Sequence, residues 1–387
     1  GQPLSQYLTS LITPFNIVAA AIIAVGVPIA FLRYWQGLGA VTNLSDTSPW
    51  GLWIGFDVLV GVALAAGGYT LASAVYIFRL DEYRPLVRAA ILTGLLGYFF
   101  AVIGILFDLG KPWRLPYPIL FYFGVTSVMF LVAWHVLLYL TCQFVEFSPA
   151  VFEWLGWKTW RRVATRLTLG FTIFGVMLST LHQSALGALF LLAPGKLHPL
   201  WYCSLIPILF FVSSIAAGLS MVIFEGMLSH RIFNGQISND PKEKMKTLTL
   251  GLGKAAAVVL FVYFWLKVIS VIHEGQWALL GTPMGQWFLV EVLGGVLLPC
   301  FLFLWGAQKG SVGLVRVASI LTVLGIALNR FNVSIIAFNW NVPDRYLPRW
   351  TEIMVSITII TVFLLSFRWI VNRMPVLRKH PDYPDEH

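Results

Sequence analysis

The chain has 387 residues, of which 58% are hydrophobic and only 11% are charged. Soluble domains carry about 25% charged residues, so this composition excludes a soluble enzyme or binding module and predicts a polytopic membrane protein. The net charge of +9 points to Lys and Arg that face anionic lipid rather than nucleic acid. Cys142, Cys203 and Cys300 are widely spaced, so we expect no iron–sulfur cluster and no c-type haem in this chain.

Ten segments are long and apolar enough to cross a membrane as helices, which takes about 20 residues each. In chain order they cover residues 14–35, 50–78, 86–108, 119–145, 166–193, 204–228, 247–273, 285–306, 313–337 and 350–374. We therefore predict an all-α fold, with a single integral membrane domain over residues 1–387. The longest loops are 146–165 and 229–246, and the polar tail 375–387 is expected to fray.

The N-terminal segment is predicted to be a retained span. Its apolar run, residues 12–32, follows no Lys or Arg and is long for the core of a signal peptide. Residues 1–5 match a loose myristoylation pattern. We interpret this match as coincidence, because many helices already anchor the chain.

Lys and Arg are divided unevenly between the two membrane sides. Sixteen are assigned to the side that holds both termini and seven to the other side. The seven are Arg33, Lys111, Arg114, Lys196, Lys267, Arg345 and Arg349. Because cytoplasmic loops are enriched in Lys and Arg, both termini are predicted to lie in the cytoplasm.

The loops on the side away from the termini are rich in Pro and Trp and poor in charge. They cover residues 45–51, 108–118, 193–202 and 339–350. Two interpretations remain open: an aromatic belt with helix-breaking prolines, or a stiff docking platform for an extracytoplasmic partner. A faint repeat is also present, since AAG occurs at 65–67 and at 216–218 in two spans of the same direction, which suggests two parallel helical bundles.

Several polar side chains lie inside apolar spans, within a few helical turns of this same surface. They are Asp57, Asp108, His182, Gln183, Glu291 and Arg330. Ionisable groups are costly in lipid and usually mark a function, so we expect one site. A quinone ring fits its chemistry, because the carbonyls need hydrogen-bond donors and reduction takes up two protons. Flat apolar walls are available in Trp50, Trp53, Phe56 and Trp287.

In this hypothesis Asp57, His182 and Glu291 handle protons. The residues predicted to contact or orient the ring are Trp53, Asp108, Arg114, Gln183, Ser184 and Arg330. His135 and Glu225, which lie deeper, are candidates for a proton path.

Structural alternatives exist for the acidic candidates. Asp57 or Glu291 is able to pair with Arg330 only to neutralise charge. Asp108 could instead form an ion pair with Lys111 or Arg114 of the loop that follows it. No metal ligand set is visible, so no metal is expected.

The remaining candidates also have simpler explanations. His135 is explained as an interhelical hydrogen-bond partner, and Glu225 as part of a network with Arg231 and Lys254. A b-type haem needs two imidazoles at matched depth. Only His135 and His182 lie inside predicted spans, and at different depths, so no haem is expected.

Most of the sequence resembles the NrfD/PsrC superfamily of quinone-interacting membrane subunits. The matching stretches are PWGLWIGFDVLVG (49–61), AAGGYTLASAVY (65–76), YRPLVRAAILTGLLGY (83–98), SPAVFEWLGWK (148–158), LHQSALGALF (181–190), HPLW (198–201), VIFEG (222–226), VEVL (290–293) and AFN (337–339). The chain is most similar to the ten-span branch that includes HybB, the membrane subunit of NiFe hydrogenase 2, and the membrane subunits of the Hmc and Dsr complexes.

The resemblance implies a subunit without a redox centre of its own. A ferredoxin-like iron–sulfur protein, fed by a hydrogenase or a multihaem cytochrome c, docks on the extracytoplasmic face and exchanges electrons with menaquinone bound beneath it. The resemblance places Asp57 and His182 near that pocket, and implies two four-helix bundles with flanking spans. Two other functions stay open: a proton-translocating subunit and a purely structural membrane anchor.

Overall fold

The computed structural model describes residues 12–233 and 242–377 of the chain. Ten of the described helices are long and apolar enough to cross a membrane, which confirms the all-α, ten-span prediction. They are α1 (Pro14–Gln36), α2 (Trp53–Ile77), α3 (Asp81–Asp108), α4 (Val128–Leu155), α5 (Lys158–Leu192), α6 (Ile206–Ile232), α7 (Glu243–His273), α8 (Pro283–Lys309), α9 (Val312–Ile336) and α10 (Trp350–Arg373). The myristoylation match at 1–5 and the tail after residue 377 lie outside the described residues.

The ten spans form two four-helix bundles and a flanking pair. Helices α2–α5 pack together as the first bundle and α6–α9 as the second, while α1 packs on α10, which also contacts α2 and α3. This confirms the expected bundles with flanking spans. Because the number of spans is even, α1 begins and α10 ends at the same side of the molecule, which we call the termini face. The other side is the opposite face.

The two AAG sequences form a very close crossing between the bundles. A Cβ added to Gly218 of α6 would lie 2.5 Å from the backbone nitrogen of Gly67 in α2. A Cβ added to Gly67 would in turn lie 3.0 Å from the carbonyl oxygen of Gly218. Glycine allows the two backbones this approach because it has no Cβ. The repeat seen in the sequence therefore marks a contact where the two bundles meet.

The predicted boundaries of the fourth and fifth spans are wrong at the termini face. Helix α4 continues to Leu155 instead of ending at 145, and α5 begins at Lys158 instead of 166. Most of the expected loop 146–165 is therefore helical. Gly156, with a φ of +71°, ends α4 in the left-handed conformation that glycine adopts without strain.

These two helices extend past the apolar run because their polar residues are paired with one another. The Glu153 carboxylate accepts hydrogen bonds of 2.7 and 2.8 Å from Arg88 of α3 and one of 2.9 Å from Arg161 of α5. Bidentate pairing of this kind offsets the cost of burying the carboxylate. Hydropathy alone does not report such pairing, so it ends both spans too early.

Two basic residues counted at the membrane surface away from the termini are instead buried within spans. Arg33 is 1% exposed near the end of α1, and Lys267 is 4% exposed in α7. The Arg33 guanidinium donates to the carbonyl oxygens of Phe107, over 2.7 Å, and of Leu109. Arg33 thereby satisfies carbonyl groups at the end of α3 that lack helical partners.

Three spans depart from α-helical geometry near the opposite face. π-helical segments cover Trp53–Val60 in α2, Val290–Leu297 in α8 and Asn332–Ile336 in α9. Such segments are rare and frequently occur at functional sites. The first two carry Asp57 and Glu291, so the backbone widens where these two candidates lie.

Two loops of the opposite face are joined by backbone contacts. Leu197 and Phe338 form an antiparallel bridge, and the His198 N–H donates to the Ala337 carbonyl oxygen over 2.9 Å. The loop after α5 in the first bundle is thus fixed to the loop after α9 in the second. We call these joined segments the loop layer.

Candidate functional site

The polar residues expected in one site lie in three buried groups. The Asp57 group lies between α2, α3 and α10, the His182 group inside the first bundle, and the Glu291 group inside the second. Within the described ranges, no hydrogen bond or ion pair joins these three residues to one another. A position in the half of the span nearer the opposite face does not bring these residues together, because each helix faces different neighbours.

Asp57 is 7% exposed and lies between two other helices. Its Oδ2 accepts a hydrogen bond of 2.6 Å from the Ser356 hydroxyl of α10. On α3, a Cβ added to Gly104 would lie 2.8 Å from the Asp57 Cβ. The glycine leaves room for the aspartate, which therefore lies at the seam between the first bundle and the flanking pair.

Trp53 lies about one turn before Asp57 and links α2 to α10. Its indole nitrogen donates to the Glu352 carbonyl oxygen over 3.2 Å, and its ring centroid lies 5.7 Å from that of Phe107. The Glu352 carboxylate accepts a hydrogen bond from the Tyr346 hydroxyl. These contacts cover the Asp57 group on the side of the opposite face.

Asp108 ends α3 beside this group. Its Oδ1 is buried and has no hydrogen-bond partner among the residues described. The charged groups that act on it are Arg33 of α1 and Glu352 of α10. Within the described ranges, no ion pair joins Asp108 to Lys111 or Arg114 of the following loop, so that alternative is wrong. Both basic residues are exposed, and Arg114 lies over the Tyr117 ring at 5.6 Å.

His182 is completely buried, and both of its ring nitrogens are engaged. Nδ1 lies 2.8 Å from the Leu178 carbonyl oxygen. A carbonyl oxygen only accepts, so Nδ1 carries the proton and Nε2 accepts from the Tyr98 hydroxyl at 2.5 Å. The Gln183 amide donates to the Tyr98 oxygen and to the Val62 carbonyl oxygen, each over 3.1 Å.

The His182 group lies deeper than the Asp57 group on the same helices. On α2, Val62 is five residues beyond Asp57, and on α3, Tyr98 is six residues from Gly104. At 1.5 Å per residue, His182 lies about 8 Å further from the opposite face than Asp57. The Asp57 carboxylate therefore lies nearer the opposite face, and the His182–Tyr98 pair lies deeper in the same bundle.

Glu291 is 1% exposed and is held by four side chains. Its carboxylate accepts hydrogen bonds of 2.7 Å from the Trp201 indole and from the Asn329 amide, and a further one from the Asn332 amide. The Lys267 ammonium lies 3.5 Å from the same carboxylate. Lys267 of α7 is thus the counter-ion of Glu291.

The direct partners of Arg330 are neutral, so it forms no ion pair with Asp57 or Glu291 and acts on the Glu291 carboxylate only at longer range. Its guanidinium donates to the Asn329 side-chain oxygen over 2.8 Å and to the Ser213 hydroxyl over 2.9 Å, and lies 3.8 Å from the centroid of the Phe210 ring. The Glu291 group therefore contains two cations, Lys267 and Arg330, and one carboxylate. Its formal charge is +1.

Three other candidates lie outside these groups. Ser184 and His135 are half-buried, and the His135 Nδ1 has no partner in the described part of the chain. Glu225 lies in the half of α6 nearer the termini face, where its Oε2 accepts the Thr93 hydroxyl at 2.6 Å. The expected network of Glu225 with basic residues is not found among the residues described.

The four rings expected to form one apolar wall are dispersed. Trp50 stacks on Phe338 and Phe56 on Phe331, each with centroids 5.7 Å apart. The Trp287 indole donates to an amide of the Glu291 group. The fourth ring, Trp53, lies beside Asp57.

Sequence reasoning missed four side chains that complete these arrangements. Lys267 and Glu146 carry a usable signal, because each is a charged residue at or inside the end of an apolar run. Glu146 is buried and accepts the Thr172 hydroxyl at 2.6 Å. Tyr98 and Ser356 carry no such signal, because hydroxyl groups are common in packed spans.

Two titratable groups of the opposite-face loops have shifted pKa values. Burial lowers the pKa of His198, whose Nδ1 accepts the Leu200 N–H at 3.2 Å. Burial raises the pKa of Tyr346, as does its hydrogen bond to Glu352. Both groups are therefore neutral at pH 7 and stabilise the loops as hydrogen-bonding groups.

No group of three or more His, Cys, Asp and Glu that could hold a metal ion occurs in residues 12–233 and 242–377. The cysteines are buried and form no disulfide. That the chain carries no metal, haem or iron–sulfur cluster stays a prediction.

Known proteins resemble this chain over most of its length. The model of the family described as polysulphide reductase, NrfD, matches residues 40–340. A protein of Nitratidesulfovibrio vulgaris is 52% identical over 380 residues, which cover 98% of each chain. The probable Ni/Fe-hydrogenase 2 b-type cytochrome subunit of Escherichia coli is 34% identical over 348 residues, covering 88% of this chain and 86% of that one. The menaquinone reductase integral membrane subunit of N. vulgaris is 26% identical over 377 residues, covering 87% and 85%. The chain is therefore a multi-pass membrane protein that belongs to the NrfD family.

Proposed function

We propose that the chain is the quinone-reactive membrane subunit of a respiratory oxidoreductase complex in a bacterial inner membrane. It exchanges electrons between menaquinone and an extracytoplasmic iron–sulfur subunit. A hydrogenase or a multihaem cytochrome c supplies the electrons to that subunit. The names of two relatives, a hydrogenase subunit and a menaquinone reductase subunit, support this function. The loop layer is the proposed docking surface for the iron–sulfur subunit.

The observation that carries the proposal is the seam around Asp57. Asp57, Asp108 and Arg33 lie where α2 and α3 meet the flanking pair, and α1 exposes most of its surface to lipid. A lipid-soluble ring reaches this seam sideways from the membrane, without crossing either bundle. Trp53 and Phe107 supply apolar surface beside it.

Reduction of a quinone to a quinol takes up two electrons and two protons. Ser356 holds Oδ2 of Asp57, so Oδ1 remains to give a proton to one ring oxygen. The Oδ1 of Asp108, which has no hydrogen-bond partner among the described residues, gives the second proton to the other ring oxygen. The His182–Tyr98 pair, about 8 Å deeper, returns protons to this level, while the electrons arrive from the docked partner.

The experiment that tests this function compares Asp57→Asn with wild type in the purified complex. Asparagine still accepts from Ser356, so the fold is kept, but it carries no transferable proton. We expect turnover with a menaquinone analogue to fall by about 10²-fold or more, the usual range for loss of a proton-transfer group. Binding is followed by fluorescence quenching of a hydroxyquinoline-N-oxide.

The matched control is Asp46→Asn, which changes an exposed aspartate in the loop before α2. It should leave turnover and inhibitor binding unchanged. Wild-type turnover in Asp57→Asn would reject the proposed site.

A second candidate function, proton translocation, is favoured by a line of buried polar residues in the first bundle. Gln143 donates to the Tyr139 hydroxyl over 3.0 Å, and the Tyr139 ring packs on Tyr98 with centroids 4.6 Å apart. Glu146 follows on α4, one turn nearer the termini face. In proteoliposomes, Glu146→Gln should abolish proton uptake but keep quinone turnover if this function holds. Unchanged proton uptake would reject it.

A further inference from the structure

A cavity of about 630 Å³ lies between α3, α6 and α10, near the termini face and away from the three groups above. Much of its wall consists of aromatic rings, namely Phe15, Phe224, Phe363 and Phe367. A wider cavity of about 1110 Å³ lies between α1 and α10 and shares Arg368 and Asn372 with the first. The two cavities adjoin, so an apolar space leads from the bundle outward to lipid.

Glu225 lines the smaller cavity and is only half satisfied. It is 9% exposed, and its Oε2 accepts the Thr93 hydroxyl at 2.6 Å. Its Oε1 is buried without a hydrogen-bond partner in the part of the chain that the structure describes. A buried polar atom without a hydrogen-bond partner destabilises the folded state, so a ligand that forms a hydrogen bond with this oxygen would be favoured.

The depth of Glu225 restricts that ligand. Glu225 lies seven residues before Ile232, the last residue of α6, which is about 10 Å from the helix end. A phospholipid places its phosphate at the interface and an acyl chain at this depth, and an acyl chain forms no hydrogen bond. A polar ring attached to an apolar tail matches both the depth and the aromatic wall.

The hydrogen bond from Thr93 determines which oxidation states of a bound ring can pair with Glu225. As long as the Thr93 hydroxyl donates to Oε2, a proton on Glu225 sits on Oε1. Protonated Glu225 then donates to a ring carbonyl, and ionised Glu225 accepts from a ring hydroxyl. A quinone and its quinol supply these two partners on one ring.

Arg368 bounds the space nearer the interface. Its guanidinium donates to the Asn16 side-chain oxygen over 3.0 Å and lies 5.5 Å from the centroid of the Phe15 ring. It lies five residues before the end of α10, closer to the termini face than Glu225 is to the end of α6. The apolar walls therefore lie between one carboxyl group and one cation.

We propose that this space is a second quinone-binding site, in the membrane leaflet away from Asp57. The ring binds in the smaller cavity with one oxygen on Glu225, and the isoprenoid tail runs through the wider cavity between α1 and α10. The site rests on the proposed function for its ligand class, but it shares none of the residues of the Asp57 seam.

Photolabelling of the purified complex with an azido-naphthoquinone, followed by peptide mapping, tests the site. We expect labelled peptides within residues 221–233 and 363–372. Leu364→Trp should fill the cavity from its lipid side, since Leu364 is 45% exposed, and should reduce this labelling at least fivefold. The control Leu298→Trp changes a residue of α8 that is 47% exposed and lines neither cavity, and should have no effect.

Glu225→Met distinguishes a quinone from a lipid tail. Methionine removes the hydrogen-bonding group but keeps an apolar wall, so a quinone should bind at least tenfold more weakly, whereas an acyl chain should not. Equal labelling in wild type and Leu364→Trp would overturn the proposal. So would a phospholipid that native mass spectrometry finds in wild type and not in Leu364→Trp. Label confined to the Asp57 seam would reject this second site and leave the proposed function intact.

Discussion

Glu291 and Lys267 form a buried ion pair inside the second bundle, with the Lys267 ammonium 3.5 Å from the carboxylate. Glu291 stands out in the sequence as an acid inside an apolar span, and the structure places it in a buried network. Its partner is not the expected arginine, because Arg330 points to Ser213 and the Phe210 ring. Which of the two cations pairs with the carboxylate depends on how each helix is rotated about its axis. The sequence does not directly specify that rotation.

Removing either partner of this pair should cost different amounts of stability. Glu291→Gln leaves Lys267 and Arg330 without an anion, and loss of one partner from a buried pair costs about 3–5 kcal/mol. Lys267→Met should cost less, because three hydrogen-bond donors and Arg330 still stabilise the carboxylate. Thermal unfolding in detergent measures both changes.

The control for this comparison is Lys254→Met, which removes an exposed lysine from the same helix. It should leave the melting temperature near that of wild type. A loss for Lys267→Met equal to or larger than that for Glu291→Gln would contradict the charge balance described for this group.

His198 should make the loop layer sensitive to acid. Burial lowers its pKa below the ordinary value of 6.5, so the unfolded chain binds a proton more readily than the folded chain. Stability is therefore unaffected above about pH 6.5 and falls as the pH drops below it. Protonation also removes the Nδ1 acceptor used by the Leu200 N–H.

This pH effect is isolated by comparing wild type with His198→Asn, because an asparagine side chain also accepts from the N–H two residues on. The melting temperature should fall more steeply in wild type than in the variant between about pH 7.5 and pH 5.5. Equal slopes would show that His198 does not carry the effect.

At the scale of helices, the apolar pattern predicts the number and order of the spans but not all of their ends. The ends of α4 and α5 were misplaced because Glu153, Arg88 and Arg161 neutralise one another beyond the apolar run. The sequence predicts which face of a helix is buried only at places where two helices touch through small residues. The contact between the two AAG sequences is such a place.

Gly218→Ala should destabilise the protein by about 1–3 kcal/mol, the usual cost of overpacking. The added methyl group would meet the backbone of α2, which cannot move aside as a flexible side chain does. Gly226→Ala is the matched control on the same helix, with nothing within 4 Å of an added Cβ. It should be neutral or stabilising by up to about 1 kcal/mol.

Chemical denaturation of both glycine variants in the same detergent measures the difference. Equal stability of the two variants would mean that α2 and α6 are not in backbone contact at this crossing.

At the scale of the whole molecule, composition predicts a ten-span membrane protein, and the motif resemblance predicts two bundles with flanking spans. The candidate site was less predictable. Depth along each helix is encoded in the sequence, but the direction in which each helix faces is set by packing between distant segments. Asp57, His182 and Glu291 therefore have the expected burial and separate neighbours.

The orientation of the molecule in the membrane remains a prediction from its basic residues. Green fluorescent protein fused after the last residue should fluoresce, and alkaline phosphatase at the same position should be inactive, because the termini face is expected to be cytoplasmic. The control inserts each reporter after Asp344, in the loop before α10, where the two signals should be exchanged. The same signal at both positions would contradict ten alternating spans.

The π-helical segments determine what a single-residue deletion would do to this chain. A π turn holds one residue more than the α turn it replaces. Deleting one residue within Trp53–Val60 would restore an α-helical turn and leave the helix on either side facing as before, because the widened turn absorbs the extra residue. Only the side chains within that turn, Asp57 among them, would be redirected. The backbone would gain better hydrogen bonds, and Asp57 would no longer face Ser356 and Gly104. Regular geometry and correct facing are incompatible in this span, so a protein improved by helical criteria would lose the arrangement that its irregularity maintains.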